Sequence, residues 1–260
     1  MCGSVLPLLF LLILFTGCRK KGEVQEKEES IVQVSTIDAL LNGVYDGTKT
    51  LNELREWGDF GIGTFHALDG EMVLLNGTFY QVKADGEIYL PSGKMKTPFA
   101  AVTRFTPEKS EHLAIRDYPR LKAVLDSLIP SPNLFYAIRF QGTFGSVTTR
   151  SVPAQQKPYL PLTEITADQP EFSATHISGT LAGFYCPPYV QGINVPGYHL
   201  HFLSEEKNFG GHLLGFEMGK GRLQLDQVSH FRMLLPEKGD FLDSDLRKDR
   251  SSELKKVEGE

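Results

Sequence analysis

The chain has 260 residues, of which 41% are hydrophobic and 23% charged, and its net charge is −5. That length and apolar fraction suffice for one large or two small folded domains and exclude a disordered chain. No long basic run in the body of the sequence advertises a nucleic-acid footprint, and a single body cysteine, Cys186, excludes an intrachain disulfide framework or a CxxC metal knuckle.

In chain order, Val5 to Phe15 make an apolar run too short for a comfortable membrane span, followed by Thr16-Gly17-Cys18. Residues 1–17 therefore read as an export signal. Its end resembles a bacterial lipoprotein signal, which implies a lipidated Cys18 and an exported, membrane-anchored protein. Phe15 stands where a smaller aliphatic residue is usual and no Lys or Arg precedes the run, so a plain cleaved signal or an uncleaved anchor is the alternative. Residues 18–30 have the charged, apolar-poor composition of a tether.

From Ile31 the composition changes. Ile31 to Val34 alternate like a strand, Ile37 to Leu41 follow like a short helix capped by Ser35 or Thr36, and Thr50-Leu51-Asn52-Glu53 is a capping box for a helix that Gly58 ends. A β-rich section comes next: Phe60 to Phe65, Met72 to Leu75, Thr78 to Val82 and Glu87 to Leu90, punctuated by Asp69-Gly70, Asn76-Gly77 and Asp85-Gly86. Phe99 to Phe105 adds a strand. Asp117-Tyr118-Pro119 starts a helix with Leu121, Val124, Leu125 and Leu128 on one face, and Pro130 and Pro132 stop it. Strands resume with Leu134 to Phe140 and Gly145 to Val152. The proline-rich Pro153 to Pro161 marks a linker or a change of sheet, and the second half is nearly all β until a charged, helix-compatible tail over residues 242–257. The expected organisation is a β-rich α/β chain with domains at residues 31–155 and 156–260.

The most informative stretch runs from Gly197 to Phe216 and holds three of the seven histidines. His199 and His201 are one residue apart in a strand-like run, so both imidazoles project to one face. After a polar, glycine-ended loop, His212 opens an apolar run suited to pair antiparallel with the first. Three neutral nitrogen ligands on a stiff hairpin leave coordination positions open, as expected of catalytic rather than structural zinc. An HxH pair alone is more often two hydrogen-bonded core or surface histidines; the third histidine at hairpin distance turns the balance toward a metal.

Elsewhere the residues make weaker claims. His66, His112, His176 and His230 lack ligand spacing, with His230 the nearest to a spare ligand. Cys186, beside two prolines, reads as a small buried apolar side chain. No GxSxG, P-loop or complete GxGxxG occurs. Taken singly, Glu71 is a turn carboxylate, Arg150 a strand arginine, Glu258 part of a solvated tail and Thr64 a common strand residue.

Thr36 to Tyr45, Gly63-Thr64-Phe65 leading into Leu68-Asp69-Gly70-Glu71, Gly192 to His201 and Gly210-Gly211-His212 together resemble bacterial acetolactate decarboxylases, from about Val34 to the C-terminus. The resemblance implies a zinc ion held by His199, His201 and His212, with Thr64, Glu71, Arg150 and Glu258 around it. Lys-Val-Glu-Gly selects Glu258 over Glu253 as the glutamate that folds back onto the metal. The resemblance further implies a mixed-sheet α/β N-terminal domain, a small C-terminal β-barrel carrying the metal site, and a homodimer. The leader departs from the cytoplasmic members of the family.

The implied activity is decarboxylation of 2-acetolactate to acetoin and CO2, in acetoin and butanediol biosynthesis. The substrate's ketone and hydroxyl oxygens would chelate zinc, which stabilises the enediolate left by CO2 loss. Arg150 would orient the substrate, while Glu71 and Glu258 shape the pocket and relay the proton. Considered alone, the metal site also fits a zinc hydrolase or hydratase, or a surface lipoprotein that binds metal without turnover.

Overall fold

The computed structural model describes residues 29–259 together with Met1 and Gly3; the apolar run of the export signal, Cys18 and the tether up to residue 28 lie outside the described residues. The chain opens with β1 (Ser30–Val34), α1 (Ile37–Leu41), the short β2 (Lys49–Thr50) and α2 (Leu51–Trp57). Thr36 caps α1 by accepting from the Ala39 N–H, and Thr50 with Glu53 forms the expected capping box on α2. Six strands follow: β3 (Phe60–Thr64), β4 (Glu71–Leu75), β5 (Thr78–Val82), β6 (Ile88–Tyr89), β7 (Lys96–Thr97) and β8 (Ala100–Thr103). Asn76 and Gly77 both adopt positive φ in the β4–β5 turn, as Asn-Gly predicts. The rest comprises β9 (Lys109–Asp117), α3 (Tyr118–Leu128), β10 (Phe135–Arg150), α4 (Leu162–Ile165), β11 (Glu171–Cys186), β12 (Gly197–Ser204), β13 (Gly210–Val228), β14 (His230–Leu234), α5 (Asp240–Asp243) and α6 (Ser251–Glu258).

A mixed seven-stranded sheet has the order β14-β1-β8-β3-β4-β5-β6, with β14 parallel to β1. A five-stranded antiparallel sheet has the order β10-β11-β12-β13-β9, and β10 also pairs with β13, so β10 to β13 form a closed cycle of pairing. The β-rich, mixed-sheet class is the one expected. Two details differ. Pro153 to Pro161 does not mark a change of sheet, because β10 before it and β11 after it pair with each other. The chain instead passes from the mixed sheet to the five-stranded sheet after β8 and returns to the mixed sheet after β13.

The second difference is that residues 134–140 and 145–152 are not two strands but parts of the single strand β10. Gly142 faces Gly221 of β13, and a Cβ added at Gly142 would lie 2.1 Å from the Lys220 carbonyl oxygen. Glycine here allows two strands to approach closely; it does not end one.

The two sheets pack face to face. Alternation along β3 and β4 sends Phe60, Ile62, Val73 and Leu75 into one cluster with Phe135, Ala137, Ala182, Phe184, Leu203 and Val228 of the second sheet. Thr64 and Glu71 lie two residues along from Ile62 and Val73, so they continue the same inter-sheet face. Leu51 and Leu54 of α2 cover the opposite face of the first sheet. On the second sheet, Phe140, Phe144, Phe202 and Phe216 pack with Leu121 and Leu125 of α3. A further cluster joins Leu40 of α1, Leu162 and Ile165 of α4, and Leu254 and Val257 of α6, which fixes where the last helix ends.

Candidate metal centre and active site

β12 and β13 form the expected hairpin, whose register sets His201 directly across from His212, with His199 two residues back on the same face. Gly211 permits that register. Its φ is +128°, and a Cβ there would sit 2.4 Å from the Arg150 carbonyl oxygen. The three ring centroids are 4.9 to 5.5 Å apart, and one nitrogen from each ring lies within 4.8 Å of the others. His199 Nε2 and His212 Nδ1 approach to 3.1 Å.

His201 Nδ1 lies 2.9 Å from the Met72 carbonyl oxygen, so the ring N–H donates there and Nε2 carries the lone pair. That Nε2 is buried and has no hydrogen-bond partner. A buried lone pair left in this way is costly unless a cation takes it. Burial also keeps the rings neutral: His199 is pushed down to about 3, and His201 and His212 fall well below the usual imidazole value, with the Arg150 charge adding to each shift. Neutral imidazole is the form that binds metal, and a three-nitrogen set suits a divalent transition ion.

Four other side chains expected from the family resemblance surround the triad. Glu71, at the start of β4, places Oε2 3.5 Å from His201 Nε2. Burial pushes its carboxyl up to about 8, against the pull of Arg150 and with a further push from Glu258. Glu258, the last residue of α6, places Oε2 3.7 Å from His212 Nε2. Arg150 ends β10 opposite His212 and is 5% exposed. Its guanidinium donates to the Val257 carbonyl in the last turn of α6, where the helix dipole also favours a cation. Thr64 donates its hydroxyl to the Gly70 carbonyl at 2.7 Å, tying β3 to the turn that launches Glu71. Ala67 and Leu68 in that turn hold positive φ although neither is glycine, so the turn stores backbone strain beside the site.

All seven residues line one hollow, with about 50 Å³ of room for water-sized molecules, whose remaining wall is largely apolar: Ile37, Leu40, Leu68, Phe99, Val152 and Leu162 among others. His66, His112, His176 and His230 do not line it. His230, on β14 across from Ser30 of β1, lies outside the hollow. Cys186 is buried in the inter-sheet core as expected, its thiol pushed up to about 12. Sequence reasoning missed Thr166 and Gln169, which line the hollow from the segment after α4, and the Met72 carbonyl that orients His201. No local pattern marks them.

A family model described as alpha-acetolactate decarboxylase matches residues 31–248. The chain belongs to the alpha-acetolactate decarboxylase family. The alpha-acetolactate decarboxylase of Methanosarcina mazei is 49% identical over 229 residues, covering 88% of this chain and 80% of that protein. The Methylococcus capsulatus decarboxylase is 46% identical over 249 residues, covering 94% and 96%. The crystal structure of the Bacillus subtilis strain 168 alpha-acetolactate decarboxylase has a TM-score of 0.86 at 38% identity, covering 89% of this chain and 100% of that one. The alpha-acetolactate decarboxylase family match ends before α6, and the fold of this chain then carries Glu258 back to the hollow.

Proposed function

We propose that the protein is a zinc-dependent decarboxylase converting 2-acetolactate to acetoin and CO2. The observation that carries this reading is the unpartnered Nε2 of His201, grouped with His199 and His212 in a hollow that also holds a buried arginine and two glutamates. Zinc bound by those three imidazoles would supply Lewis-acid charge to the oxygen-bearing end of the substrate. Arg150 keeps donors beyond the one given to Val257 and holds the substrate's carboxylate or hydroxyl. The apolar wall excludes water, which disfavours a charged carboxylate and favours its departure as neutral CO2. The electron pair left on carbon then takes a proton. Glu71, protonated at neutral pH through burial, is the group suited to hold it, with Glu258 on the other side of the histidines as its partner in the relay. Thr64 holds the β3–β4 turn that aims Glu71.

Acetolactate incubated with the purified protein should give acetoin, with one zinc per chain by metal analysis. A chelator should abolish the rate and zinc restore it. Absence of acetoin from zinc-loaded protein would overturn the reading. Ester hydrolysis or hydration in its place would favour an activated-water enzyme.

The same proposal extends to organisation and place. We read the mixed sheet as the N-terminal domain and the closed β10–β13 pairing as the small C-terminal barrel, and we propose a homodimer exported and anchored through lipidated Cys18. The topology supports the first part and the leader pattern the last. Sedimentation and metabolic lipid labelling test assembly and anchoring.

A further inference from the structure

Gln169, between α4 and β11, lines the same hollow as the three histidines, and its side-chain Oε1 is buried without a hydrogen-bond partner. Folded proteins rarely leave such an acceptor unpaired. None of the hollow's own donors bonds it: the Thr64 hydroxyl goes to Gly70, the His201 Nδ1–H to Met72 and one Arg150 N–H to Val257, and the remaining Arg150 N–H groups do not pair with it. An occupant of the hollow that carries a donor would satisfy the atom. A 2-hydroxy-3-keto acid ionised at neutral pH has two kinds of oxygen that only accept, the carboxylate and the ketone. Its tertiary hydroxyl is the sole donor.

We infer that Gln169 is a specificity-determining residue whose carboxamide oxygen accepts the hydrogen bond of the substrate's tertiary hydroxyl, so that the site prefers 2-hydroxy acids over acids of the same shape lacking the hydroxyl. The inference rests on the decarboxylase reading and adds to it the group that selects the substrate's hydroxyl. A site built to pair a substrate hydroxyl rejects the analogue lacking it, because the protein's own buried polar atom is then left unpaired.

The test uses the zinc-loaded, full-length enzyme and two stable competitive inhibitors of acetoin formation, 2-hydroxy-2-methylpropanoate and 2,2-dimethylpropanoate, which differ by hydroxyl against methyl. Their inhibition-constant ratio is measured in wild type, Gln169→Leu and Gln169→Glu. Zinc's own preference for the hydroxyl is common to all three proteins, so comparing the ratios isolates the side chain. The ratio favouring the hydroxy acid should fall about fivefold or more in Gln169→Leu, with zinc content and melting temperature unchanged, and should persist in Gln169→Glu, which keeps an acceptor. An unchanged ratio in Gln169→Leu, or an equal weakening of both inhibitors, overturns the inference, as does loss of the preference in Gln169→Glu. Wild-type acetoin formation is established first. Acetoin with an unchanged ratio therefore removes the Gln169 assignment alone and leaves the decarboxylase reading standing.

Discussion

With Nδ1 committed to the Met72 carbonyl, His201 offers only its buried Nε2, and Glu71 stands 3.5 Å from that atom. The imidazoles and the carboxyl titrate in opposite directions, which predicts a pH optimum for the stability of chelator-treated protein. His199 ionises near 3 when folded against 6.5 ordinarily, so between those values the unfolded chain binds protons that the native state refuses, and stability falls as pH drops below 6.5. Glu71 keeps its proton to about 8 against 4.5 ordinarily, so stability also falls as pH rises from 4.5 toward 8. Three imidazoles oppose two carboxyls, that of Glu71 and that of Asp226, which burial pushes up to about 7, and this puts the maximum melting temperature at about pH 6.5. Glu71→Gln should make the alkaline limb shallower and the acid limb steeper above pH 4.5, because the Glu71 contribution spans both. With zinc retained, the same variant should lose about 10²-fold or more in rate, and an unchanged rate would remove Glu71 from the proton relay.

At the scale of elements, α6 acts as a strap. Leu254 and Val257 are buried against α1 and α4, Arg150 holds the Val257 carbonyl, and Arg250 just before the helix donates to Asn42 after α1 and to Glu253. Deleting residues 251–260 should leave the far-UV circular dichroism close to that of the intact protein, because the helix belongs to neither sheet. Activity should nevertheless fall about a hundredfold or more as Glu258 is lost and the hollow opens to water. β11 is a second lever. A Cβ at Gly183 would lie 2.0 Å from the His199 carbonyl oxygen. Gly183→Ala should push β12 away, lowering both the melting temperature and zinc affinity, which titration against a competing chelator measures.

On the scale of the whole molecule, the site exists because one sheet supplies the imidazoles and Arg150 while the other supplies Thr64 and Glu71. The contact between the sheets is apolar. Phe184 meets Phe60 edge-on at 6.0 Å in its centre. Phe184→Ala should cost about 3–5 kcal/mol in denaturant unfolding, and activity should decline at temperatures where the wild type is unaffected, since loosening the sheets separates Glu71 from His201. Activity that survives wherever the fold is weakened would mean that the two sheets need not be held in register for catalysis.

What the sequence by itself determined is what short-range backbone physics controls. The Thr36 cap, the capping box of α2, the Asn-Gly turn and the histidine hairpin were legible because alternation and turn chemistry act over a few residues, and the hairpin already brings three ligands to one face. Thr64, Glu71, Arg150 and Glu258 made no claim of their own; only family resemblance pointed to them, and Gln169, Thr166 and the Met72 carbonyl went unnoticed. Their convergence depends on how two sheets and a terminal helix pack, which no local pattern encodes. Tertiary structure likewise decided that β10 runs unbroken past Gly142, and that the prolines after it join two paired strands of one sheet, because close approach between distant strands determines both.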